Sequence, residues 1–146
     1  MYYNPHHNEI KAANKIYSGI ETPDDLYDAL THCWTCETCT ERLRDKWSET
    51  NKTAGQCAIT AFLVQDIFGG EIHEMETLHG KHCYNVIDGI AIDLTSEQFG
   101  ADAASLNYKD NPLQPDRELR MGQTHKRERY ELLKKNLEAW CENDVT

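Results

Sequence analysis

Basic residues are scarce in this sequence: 15 Lys and Arg stand against 25 Asp and Glu in 146 residues, for a formal net charge of −10. The shortage is deepest in the middle, where residues 53–99 hold one basic side chain and seven acidic ones; net charges of −3, −6 and −1 fall on residues 1–52, 53–99 and 100–146. Such a surface repels phosphate backbones, which excludes direct, non-specific binding of nucleic acid and leaves a protein partner with a basic surface admissible. Long apolar runs are also missing. Nothing approaches the roughly 20 consecutive apolar residues of a membrane span, and the start, Met1 to His7, has neither the basic nor the apolar stretch of a signal peptide. The expectation is a soluble, cytoplasmic protein with no membrane association. Repeats and low-complexity tracts are absent as well. What remains is one domain over 1–146, with N-terminal helices in 9–33, a core in 53–99 and a C-terminal helix at about 124–141.

Two short helices are expected at the front, Glu9 to Tyr17 and Pro23 to Cys33, the second opened by Thr22 as N-cap before Pro23, Asp24 and Asp25. Cys57 to Phe68 carries Ile59, Phe62, Leu63 and Ile67 at helical spacing and stops at Gly69-Gly70. His82 to Ile87 and Ile90 to Leu94 read as strands joined by Asp88-Gly89, a strong two-residue hairpin signal. That register sets 87 against 90, 86 against 91, 84 against 93 and 82 against 95. His82, Tyr84, Asp93 and Thr95 then share one face, and Cys83, Asn85, Ile87, Ile90, Ile92 and Leu94 the other. In the last helix Tyr130, Leu133, Leu137 and Trp140 mark the buried stripe.

The chemistry-bearing residues lie around the first buried helix. Cys57 follows Gly55-Gln56 at a helix start, where free backbone N–H groups and the positive end of the helix dipole favour a thiolate. If this helix packs on the hairpin face bearing His82, then Cys57, His82 and Asp93 supply the nucleophile, base and base-orienting carboxylate that acyl transfer requires. The backbone N–H of Cys57 and the amide of Gln56 are the candidate oxyanion donors. The plainer reading makes Cys57 one more cysteine at a helix start, His82 a structural donor and Asp93 a turn cap.

The run Gly55-Gln56-Cys57-Ala58-Ile59-Thr60-Ala61, with Val64-Gln65-Asp66, Gly69-Gly70-Glu71, His82-Cys83-Tyr84-Asn85, Asp88-Gly89, Asp93-Leu94-Thr95 and Gln98-Phe99, closely resembles the bacterial YunG-like family. Trp34, Glu37, Thr38 and Trp47 resemble that family's upstream motif and Arg129-Tyr130 with Leu132-Leu133 its final helix, so the likeness spans roughly residues 30–135. The order of Cys on a helix, His on a strand and Asp before Thr on the next strand is also similar to the papain/transglutaminase-like superfamily. That second resemblance implies an α+β fold with the Cys57 helix packed on a small antiparallel sheet, and catalytic roles for Cys57, His82 and Asp93. The YunG-like resemblance carries no activity with it.

Cys33, Cys36 and Cys39 depart from the family pattern. A Cys-x-x-Cys pair with a third thiol suits tetrahedral zinc, with His32, His79, Cys83 or Cys141 as candidate fourth ligand. Alternatively the three thiols replace hydroxyls and behave as small hydrophobes. His6-His7 is expected in solvent, His73 and His79 in a solvated acidic loop, Lys126-Arg127-Glu128-Arg129 on the wet face of a helix, and Cys83 in the core. Two function classes stay open. One is a cysteine-dependent hydrolase or acyltransferase acting on an amide or thioester. The other is a zinc-containing acidic binding protein that inhibits a nucleic-acid-handling enzyme, in the manner of an anti-CRISPR protein.

Overall fold

The computed structural model describes residues 1–6 and 9–143. The order of elements is α1 (Pro23–Leu30), α2 (Cys57–Phe68), β1 (Glu71–Thr77), β2 (Gly80–Ile87), β3 (Ile90–Ile92), α3 (Arg117–Met121) and α4 (Lys126–Asn143), with short 3-10 turns at Glu41–Leu43 and Ser96–Ser105. This is an α+β fold built on a three-stranded antiparallel sheet in the order β1-β2-β3. Helix α2 is the centre of the molecule. Ile59, Ala61, Phe62, Leu63, Val64 and Ile67 are all buried, because the sheet covers one side of the helix and α4 the other. A helix enclosed in this way is apolar around most of its girth.

The hairpin follows its sequence. Asp88 and Gly89 both adopt positive φ, 51° and 79°, as a two-residue turn matched to strand twist requires, and the register sets Ile87 against Ile90 and Val86 against Ala91. Pairing ends at Asn85 with Ile92, earlier than expected. Beyond it Asp93 bridges instead to Tyr3, whose carbonyl accepts the Asp93 N–H at 2.9 Å. The N-terminal segment thus pairs with the chain just past the end of β3.

Three expectations are corrected. Residues 9–17 form no helix; their amides are spent on the rest of the chain, with Ala12 N–H donating to Glu21 and Ala13 N–H to the Ile67 carbonyl. Helix α1 ends at Leu30, short of Cys33, although Thr22 caps it as expected in a reciprocal pair with Asp25. Glu71–Thr77 is an edge strand rather than a loop: it pairs with β2 along its length, with Ile72 and Met75 buried and Glu71 and Glu76 exposed. Gln114 and Leu113 cover part of its outer edge. Among the described residues no helix is long and apolar enough to cross a membrane.

Candidate active site

Gly55 sets the start of α2. Its φ is +70°, and a Cβ there would lie 2.5 Å from the Cys39 sulfur and 3.1 Å from the Thr40 backbone nitrogen. Only glycine lets the loop around Thr40 close onto the helix start. Gln56 follows as N-cap, and Cys57 opens the first turn, whose N–H groups have no partner within the helix.

The sheet meets this helix in an unexpected way. Asn85 donates from Nδ2 to the Ala61 carbonyl at 3.0 Å, so the face of β2 bearing Cys83 and Asn85 packs on α2, and the face bearing His82 looks away. Yet β3 stops short of His82, so the imidazole lies at an open margin of the sheet, level with the first turn of α2. Cys57 interacts there with both Cys83 and His82, each of which shifts its thiol. Cys57, His82 and Asp93 are thus brought together around the margin of the strand rather than through helix packing on its His-bearing face.

His82 and Asp93 are both buried and meet through Nε2 and Oδ2 at 2.6 Å. With Nε2 committed to Asp93, Nδ1 is the nitrogen left for Cys57. Asp93 is itself fixed on every side. Tyr108 donates from its hydroxyl to Oδ2 at 2.8 Å, and Thr95 donates to Oδ1 from its N–H at 3.1 Å and from its hydroxyl at 3.3 Å. Burial and the neighbouring carboxylate hold the Tyr108 phenol far above its usual range, so it remains a donor. Phe99 lies edge-on against the imidazole, with ring centres 4.7 Å apart.

The electrostatics follow from these contacts. The Cys83 hydrogen bond and the bonded, charged imidazole of His82 hold the Cys57 thiol well below its ordinary range, against the opposing effect of burial. Cys83 moves the other way, raised by its bond to Cys57 and by burial, so it keeps its proton and donates. Burial disfavours a charged imidazole, but the Asp93 carboxylate and the Cys57 thiolate outweigh it and carry His82 up to about 10. These opposed shifts favour a thiolate–imidazolium pair over a neutral thiol beside a neutral imidazole. Cys57, His82 and Cys83 open onto a cleft of about 710 Å³.

Gln56 is not in that cleft. It is fully buried, and its Nε2 donates to the Thr35 carbonyl at 3.1 Å, which ties the preceding loop to the helix start and leaves the oxyanion position to backbone N–H groups. Cys33, Cys36 and Cys39 also part company. Cys33 is a core residue, its thiol pushed up to about 12 by burial and by Cys141; Cys39 is fully buried beneath Gly55 and pushed up to about 11, chiefly by burial; Cys36 lies half-buried beside the Arg44 carbonyl. Among the described residues no three His, Cys, Asp or Glu side chains form a group able to hold a metal ion.

Arg129 and His73 lie elsewhere than expected. Arg129 is 5% exposed, not on a wet face, and donates to the carbonyls of Thr38 at 3.1 Å and Gly55 at 3.5 Å. His73 belongs to β1 and hydrogen-bonds the Asn111 carbonyl at 2.9 Å. His79 is exposed beside Asp102, and His6 pairs with Glu9, while His7 lies outside the described residues. The acidic middle is not a continuous patch: Glu74 turns to Arg120 and Gln114, and Glu71 to His73. Tyr3 and Tyr108, stacked at 3.9 Å over Asp93, were invisible as site residues because neither has a motif or sequence proximity to the triad. Cys83 had a signal, its place beside His82, but strand alternation alone assigned it to the core.

Comparison with known proteins covers most of the chain: residues 22–142 match the family model for YunG protein. The chain belongs to the YunG family. It is 46% identical over 56 residues to the uncharacterised protein YunG of Bacillus subtilis (strain 168), a stretch that makes up 38% of this chain and 49% of that protein. The chain thus spans about half the length of the curated relative it matches. No solved structure matches it. The YunG assignment therefore stands on sequence, and the chemistry stands on the site itself.

Proposed function

We propose that this YunG-family protein is a cysteine-dependent hydrolase or acyltransferase acting on an amide or thioester, with Cys57, His82 and Asp93 arranged in the papain/transglutaminase-like manner. The observation that carries this reading is the buried His82–Asp93 pair at 2.6 Å, whose free imidazole nitrogen is left for a cysteine at a helix start. The Cys57 thiolate adds to the substrate carbonyl carbon, and the first-turn N–H groups of α2 receive the oxyanion. As the tetrahedral adduct collapses, the carbonyl carbon loses its amine or thiol, which leaves with the proton of His82. His82, now neutral, takes a proton from water as the hydroxide adds to the acyl-Cys57 thioester. The acid departs, and the thiolate–imidazolium pair is restored. An acyltransferase would use an amine or thiol in place of that water. Asp93 holds the imidazole in orientation throughout and stays ionised.

Incubation with a small acyl thioester such as an acetyl thioester of N-acetylcysteamine tests the reading. The expected result is an acyl adduct mapped to Cys57 and release of the thiol, both lost in Cys57→Ser and strongly slowed in His82→Ala. A protein that gains no acyl group at Cys57 from thioesters or activated amides of any charge overturns it.

A further inference from the structure

The wall of the cleft has the opposite charge balance to the rest of the molecule. Arg42, Lys46, Lys81, Arg120, Lys126 and Arg129 line it, against Glu74, Glu97 and Asp102, in a chain whose net charge is −10. Each of those three acids is already engaged: Glu74 with Arg120 at 3.7 Å, Glu97 with the N-terminal ammonium at 3.2 Å and the Tyr27 hydroxyl, Asp102 with His79 at 3.5 Å. Lys126 is different. It opens α4, is half-buried, and has no carboxylate partner among the described residues. The groups close enough to act on it are the Cys57 thiolate, the neutral Cys83 thiol and the guanidinium groups of Arg120 and Arg129. Arg129 adds a second unsatisfied group, since its Nε is buried with no hydrogen-bond partner. A half-buried ammonium with no carboxylate partner, whose negative neighbour is the Cys57 thiolate and which stands beside two guanidinium groups, is placed to receive a further anion in the cleft.

We infer that the cleft takes an acyl compound with a negatively charged group, carboxylate or phosphate, near its reacting carbonyl, and that Lys126, supported by Arg129 and Arg120, is the specificity-determining cation. The inference rests on the cysteine-enzyme reading and gives that site its substrate class. In a cleft partly screened from water such a cation attracts its ligand more strongly than one on the open surface. The acidic exterior repels anions at long range, so the selectivity arises inside the cleft and not from net charge.

Paired alkylating agents read this without a known substrate. Iodoacetate and iodoacetamide differ in charge and both need the thiolate, so the ratio of their rates at Cys57, mapped by peptide mass spectrometry, cancels the thiolate fraction. At low salt that ratio is expected to exceed the value for N-acetylcysteine by about threefold or more. It should fall towards that reference in Lys126→Met and, without any substitution, when salt is raised to shorten the Debye length. Fast reaction with iodoacetamide but no preference for iodoacetate overturns the anionic-substrate inference alone. A raised ratio that neither Lys126→Met nor salt lowers overturns the role of Lys126 and leaves the imidazolium as the attracting charge. A Cys57 no more reactive than the reference thiol towards either agent overturns the enzyme reading, and this inference with it.

Discussion

His82 and Asp93 are joined by a 2.6 Å hydrogen bond with both side chains nearly closed off from water, and through it Asp93 acts on a third residue, Cys57, alongside Cys83. A carboxylate buried beside an imidazole makes the protonated ring the stable one. A protonated ring makes the neighbouring thiolate stable in turn.

The rate of Cys57 alkylation by iodoacetamide should therefore level off at lower pH than that of an ordinary thiol and stay level up to about 9, since the thiol is held well below its usual range and His82 keeps its proton up to about 10. In His82→Ala, which removes the bond and charge of the imidazole but keeps Cys83, the rate should instead climb with pH and reach its plateau at higher pH than in the parent. Asp93→Asn should behave similarly, because without the carboxylate burial pushes His82 back down. Peptide-resolved alkylation kinetics across pH give the answer, and identical profiles for the parent and His82→Ala would dismantle the ion pair.

Cys83 acts on the nucleophile as a donor, its bond being the largest influence that lowers the Cys57 thiol. Cys83→Ala should raise the Cys57 pKa by about one unit or more, whereas Cys83→Ser, which keeps a hydroxyl donor, should restore most of the difference. Thiolate absorbance titration in the ultraviolet measures it. Equal pKa values in the alanine and serine variants would mean that Cys83 contributes packing alone.

The helix start is a stability prediction. A methyl group at Gly55 would meet the Cys39 sulfur at 2.5 Å in a backbone conformation that side chains resist. Gly55→Ala should cost about 1–3 kcal/mol in urea unfolding, with m unchanged. Adding Cys39→Ala should recover part of it, because removing the sulfur relieves one of the two sources of strain. Strict additivity of the pair would show that the Cys39 contact is not what excludes a side chain at Gly55.

The hairpin, α2 and α4 were legible because each rests on local signals: Asp88-Gly89, the apolar run from Cys57, and the stripe through Tyr130 and Leu137. Cys57, His82 and Asp93 were legible as candidates, but not the way in which they approach one another. Strand alternation puts His82 and Cys83 on opposite faces, and nothing local says that β3 ends early enough to let Cys57 reach both. The cover over Asp93 comes from Tyr3 and Tyr108, at sequence separations no pattern encodes. Cys33, Cys36 and Cys39 are close in sequence, but the loop that carries them folds around Thr35 and Thr38, and each thiol ends in surroundings of its own. Arg129 was misplaced for a related reason. Its neighbours in sequence are solvent-facing charges, and only the carbonyls of Thr38 and Gly55, far away along the chain, explain its burial.

The thiolate–imidazolium pair also shapes stability against pH, and the signs can be worked through. Unfolded, His82 titrates near 6.5 and Cys57 near 9.0; folded, His82 is raised to about 10 and Cys57 lies well below 9.0. Taken alone, the raised His82 contributes stability that is complete below about 6.5 and is lost as pH rises towards 10. The lowered Cys57 contributes stability that is complete above about 9 and is lost as pH falls through its folded value. Between 6.5 and 9 the folded pair and the unfolded pair each hold one proton, so the two slopes cancel and their joint contribution is level. Cys57→Ala leaves only the His82 slope, which makes the variant lose stability steadily above about 6.5. The parent-minus-variant difference in unfolding free energy should therefore rise with pH from about 6.5 towards the variant's own His82 value, a comparison in which the other titrating groups largely drop out. Urea unfolding of both proteins at several pH values measures that difference. A difference that stays flat between pH 6.5 and 9 would mean that Cys57 and His82 do not exchange a proton on folding, and the pair at the helix start would then be a neutral thiol beside a neutral imidazole.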